Sequence, residues 1–218
     1  MMDAALQRKN MVENQVRTSD VTDRRITAAM LALPRERFLP GHLAGVAYSD
    51  EDLTIGSGQL MLAPRVLAKL VQLAEVEESN RVLVIGGYCG YAAAVVSRLA
   101  AHVVALCPDE KSLDAAEAAL RSLEISNVSV AKGSLASGWP DKAPYDVILI
   151  EGGVEAVPEA LEAQLAEGGR LVAVGVDPGI GCAFQLQKCN GYVTRREAFQ
   201  AGAPLLPGFE ARKPAFVF

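Results

Sequence analysis

The sequence predicts an α/β fold in which a mostly parallel sheet is covered by helices on both faces and closed by a C-terminal antiparallel hairpin. Three observations support this prediction. Short apolar runs alternate with helical patterns from residue 82 onward, and the first run leads into a glycine-rich turn. Near the end of the chain, Asn190-Gly191 lies between two alternating stretches, which is the strongest short signal for a two-residue hairpin.

Residues 1–75 are expected to form an N-terminal helical cap, with substrate-side loops, that packs on the core. Residues 3–18 mix apolar and charged side chains at helical spacing and predict a weakly amphipathic helix. Asp20 is expected to cap a second helix over residues 21–32, and Pro34 ends that helix.

The connection to the core is predicted to be largely irregular. Residues 34–40 are bracketed by prolines and predict an extended connector, and residues 41–58 show no period. Pro64 suits the first turn of a helix, because apolar residues follow it at helical spacing. That helix is expected to lead into the core unit, residues 76–218.

The core is predicted as strands alternating with helices. Five apolar runs are expected to be parallel strands, at residues 82–85, 103–107, 128–131, 146–150 and 170–175. Helices are expected between them, at residues 90–100, after Pro108 and after Pro158. Residues 192–199 are the predicted returning strand of the hairpin.

Composition limits the partners and ligands. The chain has 218 residues, half of them apolar, which suits one soluble globular unit. A net charge of −5 argues against a nucleic-acid surface. The four cysteines form no C-x-x-C pair and there are two histidines, so no metal site is predicted and reduced thiols are expected. No apolar run reaches membrane-spanning length and no signal-peptide core is visible, so no membrane partner and a cytoplasmic location are predicted.

The turn after the first core strand is the predicted ligand site. Gly86, Gly87 and Gly90 surround Tyr88 and Cys89 where the strand leads into a helix N-terminus. Glycines at such a junction allow the backbone to approach nucleotide-type ligands closely. The usual G-x-G-x-x-G spacing is absent.

Short motifs distributed along nearly the whole chain resemble those of the protein-L-isoaspartate O-methyltransferase family, within the S-adenosylmethionine-dependent methyltransferases of Rossmann-like fold. Each motif alone is weak, whereas their order and spacing together are specific. They are Pro34-Arg35-Glu36-Arg37-Phe38, Gly58-Gln59 with Pro64, Val82-Leu83-x-Ile85-Gly86 with Gly90-Tyr91, Gly138-Trp139-Pro140, Pro144-Tyr145-Asp146, and Gly168-Gly169-Arg170-Leu171-Val172.

The resemblance implies transfer of a methyl group from S-adenosylmethionine to a carboxylate of a protein or peptide acceptor, the isoaspartyl group of aged proteins. The resemblance, together with the residues expected to meet at the same edge of the sheet, implies a set of cofactor contacts. These are Gly86, Gly87, Tyr88, Gly90, Cys107, Asp109, Ser134 and Glu151.

The chain departs from the family pattern where polar contacts are expected. Val84 replaces an acid of the first strand, and Cys107 replaces the acid that holds the cofactor ribose. Ser134 stands where an Asp-Gly pair lies near the adenine, and Leu62 stands at the family's serine, so the catalytic residue is unknown. Losing two such contacts predicts cofactor binding that is lost or weakened on the order of a hundredfold. The ring of Tyr88 is expected to fill the pocket or stack on adenine.

Three acidic positions have two interpretations each. Asp109 could replace the missing ribose acid, or it could serve the N-terminus of the following helix. Glu151 follows the fourth strand at the edge where ligands bind, so it could contact a ligand, or it could be a solvated loop acid. Residues 50–52 could line a substrate mouth, although a solvated loop fits them better because acids repel a carboxylate substrate.

Two functions follow as hypotheses. The first is a methyltransferase of this family that acts on a protein or peptide acceptor. The second is a catalytically inactive homologue that binds a partner as a scaffold, since a fold does not fix a function. A dinucleotide-dependent oxidoreductase is remote, because it also requires an acid where Cys107 stands. The sequence predicts no oligomeric state.

Overall fold

A seven-stranded sheet, in the order β5-β4-β3-β6-β7-β8-β9, is the centre of the fold. In this computed structural model the described residues are 3–56, 58–86, 88, 90–176 and 181–211. The central strands are β3 (Arg81–Gly86), β4 (His102–Cys107), β5 (Val128–Lys132), β6 (Tyr145–Val154) and β7 (Leu165–Gly175), which pair in parallel. The hairpin β8 (Cys182–Cys189) and β9 (Tyr192–Gln200) is antiparallel. The predicted fold class is confirmed.

The central strands are parallel because helices cover both faces of them, and their sequences are apolar for the same reason. The helices of the core are α4 (Gly90–Ser97), α5 (Glu110–Ser122) and α6 (Glu159–Ala163). Residues 82–86 of β3 are all buried. Asn190 and Gly191 both have positive φ, at 52° and 77°, as a two-residue hairpin turn requires.

Two strands are longer than predicted. Strand β6 continues through residues 151–154 instead of ending at residue 150, and β7 begins at Leu165 instead of residue 170. A register shift between Leu149 and Gly153 lets β6 continue past an irregularity in its pairing with β7. Glu151 therefore lies inside a strand.

The N-terminal cap contains α1 (Ala4–Met11), followed by a π-helical turn and a 3₁₀ turn up to Ser19, and then α2 (Arg24–Ala32). The prediction that Asp20 caps the second helix is wrong. Asp20 has left-handed backbone angles with φ 61°, which ends the first helical run. Asp23 is the cap, because its extended backbone lets its carboxylate accept from Arg25 N at 2.8 Å.

The connector is also more regular than predicted. Residues 35–38 form a 3₁₀ turn instead of an extended segment, with Arg37 N donating to the Pro34 carbonyl at 3.0 Å. Residues 41–46 form another 3₁₀ turn, and a small hairpin of β1 (Leu53–Gly56) and β2 (Gln59–Met61) follows. Helix α3 (Pro64–Leu73) begins at Pro64 as predicted.

After β9 the chain crosses the carboxyl edge of the sheet. This crossing segment, residues 203–209, pairs with β6 through two hydrogen bonds, Gly153 N to the Pro204 carbonyl at 2.8 Å and Leu206 N to the Gly153 carbonyl at 2.9 Å. Leu206 and Phe209, two residues of this segment, are buried against the sheet. The segment thus covers the edge at which ligands bind in open α/β sheets.

Within the described ranges, no helix is both long enough and apolar enough to cross a membrane.

Candidate functional site

The predicted site lies at the carboxyl ends of β3, β4 and β6. Gly86 is the last residue of β3 and pairs in register with Glu151 of β6, while Ile85 pairs with Leu106 of β4. Three of the expected contacts, Gly86, Cys107 and Glu151, are therefore brought together at one edge. Gly87, which was also expected to contact the cofactor, lies outside the described residues together with Cys89.

Gly90 has a packing role in this arrangement. A Cβ there would lie 3.2 Å from Phe38 and 3.2 Å from Ala116, closer than nearly all real Cβ contacts. Glycine thus allows the close approach of α4 to α5 and to the 3₁₀ turn at residues 35–38, where a Cβ would force its neighbours to move. A direct contact between Gly90 and a cofactor stays a prediction.

Tyr88 is turned towards the end of β4. Its side chain is half-buried, and its pKa is raised by this burial and by the neighbouring Cys107 thiol. The space that Tyr88 lines together with Phe38, Gly90 and Ser112 has no room for a water molecule. The ring is therefore close to Cys107. Whether it fills the cofactor pocket or stacks on adenine stays a prediction.

Val84 and Cys107, which replace the two family acids, are fully buried. Val84 pairs with Ala105 and Leu149 in the middle of the sheet. The Cys107 carbonyl accepts from Gly133 N at 3.0 Å, which joins the loops after β4 and β5. Ser134, in the second of these loops, is exposed, so its hydroxyl is accessible to a ligand.

Asp109 serves the N-terminus of α5, as one of its two interpretations expected. Its Oδ1 accepts from Ser112 N at 2.8 Å, and its Oδ2 accepts from Gln59 Nε2 at 2.7 Å. Burial acts to raise the pKa of Asp109, but the hydrogen bonds from Ser112 and Gln59 hold it below the usual value. Both oxygens are thus engaged, and a role in ribose binding stays a prediction.

Glu151 is fully buried, so its interpretation as a solvated loop acid is wrong. Its Oε1 accepts a long hydrogen bond of 3.4 Å from Leu62 N, and its Oε2 has no hydrogen-bond partner among the described residues. Burial raises the pKa of Glu151 to about 8, against the opposing effect of the Arg35 guanidinium. A neutral carboxyl group therefore lies beside Leu62, the position of the family serine.

Arg35 is a functional candidate that residue-by-residue reasoning missed, since its only signal was its place in a family motif. It is fully buried and donates from Nε to the Ala47 carbonyl at 2.8 Å and from Nη2 to the Leu62 carbonyl at 2.6 Å. Its guanidinium lies over the ring of Tyr91, 4.9 Å from the centroid. Burial lowers the pKa of Arg35, while the nearby Tyr91 and Glu151 oppose the change.

An open cleft of about 500 Å³ reaches Ala63, the residue that follows Leu62 in the chain. This acceptor cleft is lined by residues 50–52, Ala63, Arg65, Val66 and residues 200–204. Asp52 accepts from Ala63 N at 2.7 Å, and burial raises the pKa of Asp52. Asp50 contacts Arg65. The expectation of a solvated loop is thus only partly met, because two of its three acids have partners.

No group of three or more histidine, cysteine or acidic side chains in the described part of the chain is arranged to hold a metal ion.

Comparison with known proteins gives the family. The family model for protein-L-isoaspartate(D-aspartate) O-methyltransferase matches residues 6–200. Protein-L-isoaspartate O-methyltransferase 1 of Rhodopseudomonas palustris strain HaA2 is 42% identical over 174 residues, which are 79% of this chain and 71% of the relative. The protein-L-isoaspartate O-methyltransferase of Methylorubrum extorquens strain PA1 is 41% identical over 177 residues, covering 81% of this chain and 77% of the relative.

Solved structures agree. A protein-L-isoaspartate O-methyltransferase superposes with a TM-score of 0.79 at 29% identity, over 92% of this chain and 66% of the other. A Plasmodium falciparum structure described as a candidate member of the same family, solved with S-adenosyl-L-homocysteine, has a TM-score of 0.76 over 91% of this chain and 97% of the other. Its 18% identity shows the shared fold alone. By its sequence, its fold and the match over most of its length, this chain belongs to the protein-L-isoaspartate O-methyltransferase family.

Proposed function

We propose that this protein transfers a methyl group from S-adenosylmethionine to a carboxylate of a protein or peptide acceptor. The observation that carries the proposal is the family match over residues 6–200, which includes both the turn after β3 and the loop at Leu62. The sheet register supports it, because Gly86 and Glu151 lie side by side between these two segments. On sequence grounds we also propose that the chain divides into a cap (1–75) and a core (76–218), and that the protein is cytoplasmic.

The described residues fit the cofactor only in part. The turn at Gly86 and the start of α5 at Asp109 would hold it, and when bound it would supply an electrophilic methyl group. If the ring of Tyr88 fills the pocket beside Cys107, it has to turn away before an adenosine group can enter. We therefore propose that the affinity for the cofactor is weaker than in relatives with a ribose acid, on the order of tenfold to a hundredfold.

The protein's own contribution would be to position the acceptor. Methyl transfer to a carboxylate needs no proton removal, and in-line alignment supplies most of the acceleration. The apolar side chains of Leu60, Met61 and Leu62 are all buried and exclude water from this end of the site. Loss of the family serine is thus compatible with transfer.

The test is transfer of a labelled methyl group to a short peptide with one isoaspartyl residue, with the matching aspartyl peptide as control. We expect label in the isoaspartyl peptide only, in a base-labile ester. Calorimetry with S-adenosyl-L-homocysteine at high protein concentration measures the cofactor site separately. If neither methyl transfer nor cofactor binding is observed, the proposal is overturned and the inactive homologue remains.

A further inference from the structure

Arg35, Tyr91 and Glu151 form a buried polar cluster that the family resemblance does not explain. All three residues are fully buried. By distance and angle, five buried side-chain nitrogen or oxygen atoms lack a hydrogen-bond partner among the described residues, and three of them, Arg35 Nη1, Tyr91 Oη and Glu151 Oε2, are in this cluster. The side chains of Arg35 and Tyr91 nevertheless interact with each other, so Glu151 Oε2 is the atom of the cluster without any partner among these residues. Buried polar groups are normally paired, so such a concentration indicates a group that is missing from the protein itself.

The chemistry of the three atoms specifies that group. A guanidinium nitrogen can only donate, and a tyrosine hydroxyl can donate. A carboxyl group donates through its second oxygen when it is neutral. Leu62 N donates to Glu151 Oε1, and the Leu62 carbonyl accepts from Arg35 Nη2. Both side chains are therefore hydrogen-bonded to the same residue. Donors clustered beside a cation fit an anionic, bidentate group such as a carboxylate.

We propose that Arg35, Tyr91 and the carboxyl group of Glu151 recognise the carboxylate of the methyl acceptor, with Glu151 supplying the hydroxyl donor that Leu62 lacks. This inference rests on the proposed function. It assigns the acceptor end of the site to residues of three different segments, the 3₁₀ turn at 35–38, helix α4 and strand β6.

The surroundings of Glu151 support a neutral state. The charged and titratable groups that act within and on the cluster are Arg8, Arg35, Tyr48, Asp52, Tyr91 and Glu151. Burial raises the pKa of Glu151 to about 8, and Asp52 adds to this, while Arg35 opposes it. At neutral pH the carboxyl group is therefore mostly protonated and does not repel an acceptor carboxylate. Above this value it ionises, loses its donor and becomes repulsive.

The acceptor cleft is the proposed approach to the cluster, whose three residues are buried behind its lining. Ala63 lines the cleft and follows Leu62 directly, and Ala203 and Pro204 of the crossing segment form another part of its wall. Beyond that wall the segment is in close contact with the two glycines that follow Glu151 in β6. Asp50 and Asp52 are compensated by Arg65 and Ala63 N, so the cleft does not present three unpaired acids.

The test compares the full-length wild type with Glu151→Gln, Glu151→Leu and the control Glu159→Gln, an exposed acid of α6. The probe is an isoaspartyl peptide, and its α-carboxamide analogue shows whether the carboxylate is needed. Calorimetry at pH 6.5 and pH 9.5, in the presence of S-adenosyl-L-homocysteine, measures peptide affinity. Infrared spectra of the unliganded protein follow the carboxylic acid band of Glu151 between these pH values.

We expect the wild type and Glu159→Gln to lose about tenfold or more of their peptide affinity at pH 9.5. Glu151→Gln keeps a donor that cannot ionise, so its affinity stays the same at both pH values. Glu151→Leu is weaker by about tenfold at pH 6.5. The infrared band should disappear as the pH rises in the wild type and be absent in Glu151→Gln.

Two outcomes would overturn the inference, namely peptide affinity in Glu151→Leu equal to that of the wild type, or a wild-type affinity that does not change with pH. Either result would assign the cluster to a bound water only. Failure of the proposed function is distinguishable from both. In that case the peptide would bind with the expected pH dependence and no methyl group would be transferred.

Discussion

The carboxyl edge of the sheet has two ends with opposite character. On the cofactor side, Val84 of β3 and Cys107 at the end of β4 occupy the family's acidic positions, and both are fully buried. On the acceptor side, Glu151 and Arg35 are buried and keep polar atoms without a hydrogen-bond partner among the described residues. The cofactor side thus lacks the family's acids, whereas the acceptor side keeps buried polar groups although Leu62 replaces the family serine.

The largest effect is expected from Arg35→Met. This change removes the donors to the Ala47 and Leu62 carbonyls and leaves these two buried acceptors without them. We expect a loss of about 2–5 kcal/mol in the free energy of unfolding, measured by urea denaturation. Arg25→Met, at an exposed ion pair, is the control and should cost less than about 1 kcal/mol. Equal costs would show that the acceptor end has no special role in stability.

The next effect is a pH dependence of stability. The folded-state pKa of Glu151 is about 8, above the 4.5 of an unperturbed glutamate. The stability linked to this proton is therefore fully present below pH 4.5 and is lost as the pH rises through about 8. Between pH 5 and pH 9 we expect the wild type to lose on the order of a few kcal/mol relative to Glu151→Gln. If the stability difference between the wild type and Glu151→Gln stays constant over this pH range, the raised pKa of Glu151 is contradicted.

A smaller effect is expected at the other end of the edge. Tyr88→Ala empties the pocket beside Cys107, so affinity for S-adenosyl-L-homocysteine should increase about tenfold, or on the order of 1.4 kcal/mol, as measured by calorimetry. Tyr192→Ala, at a tyrosine that is 78% exposed, should leave the affinity unchanged. If Tyr88→Ala binds no better, the obstacle is the crossing segment and not this ring.

The smallest effect is expected from Asp109→Ala. The substitution removes the cap of α5 and the bond to Gln59, and should cost about 1 kcal/mol in thermal or urea denaturation. Asp114→Ala, at an exposed position of the same helix, is the matched control and should change stability by less than about 0.5 kcal/mol. If Asp109→Ala leaves the stability unchanged, the cap does not stabilise α5.

The sequence predicted the strands well because long apolar runs leave few alternatives. It placed the cap of α2 at Asp20 instead of Asp23, since both are aspartates before a helical pattern and only the backbone angles separate them. Glu151 was placed at the correct edge, but its burial was not foreseen. That burial depends on Arg35 and Leu62, which are distant in the chain. The direction of Tyr88 likewise depends on tertiary packing.

The hydrogen bond from Gln59 to Asp109 has a thermodynamic consequence. It joins β2, which leads to Leu62, to the first turn of α5 on the cofactor side. If a ribose hydroxyl replaced Gln59 at Asp109 Oδ2, β2 would keep only the bond from Gln59 to Ser112 Oγ at 3.0 Å as its link to α5. Linkage then requires that any acceptor which fixes β2 change the cofactor's affinity by the same factor as the cofactor changes the acceptor's. One amide side chain would thereby couple the affinities of the two ligands.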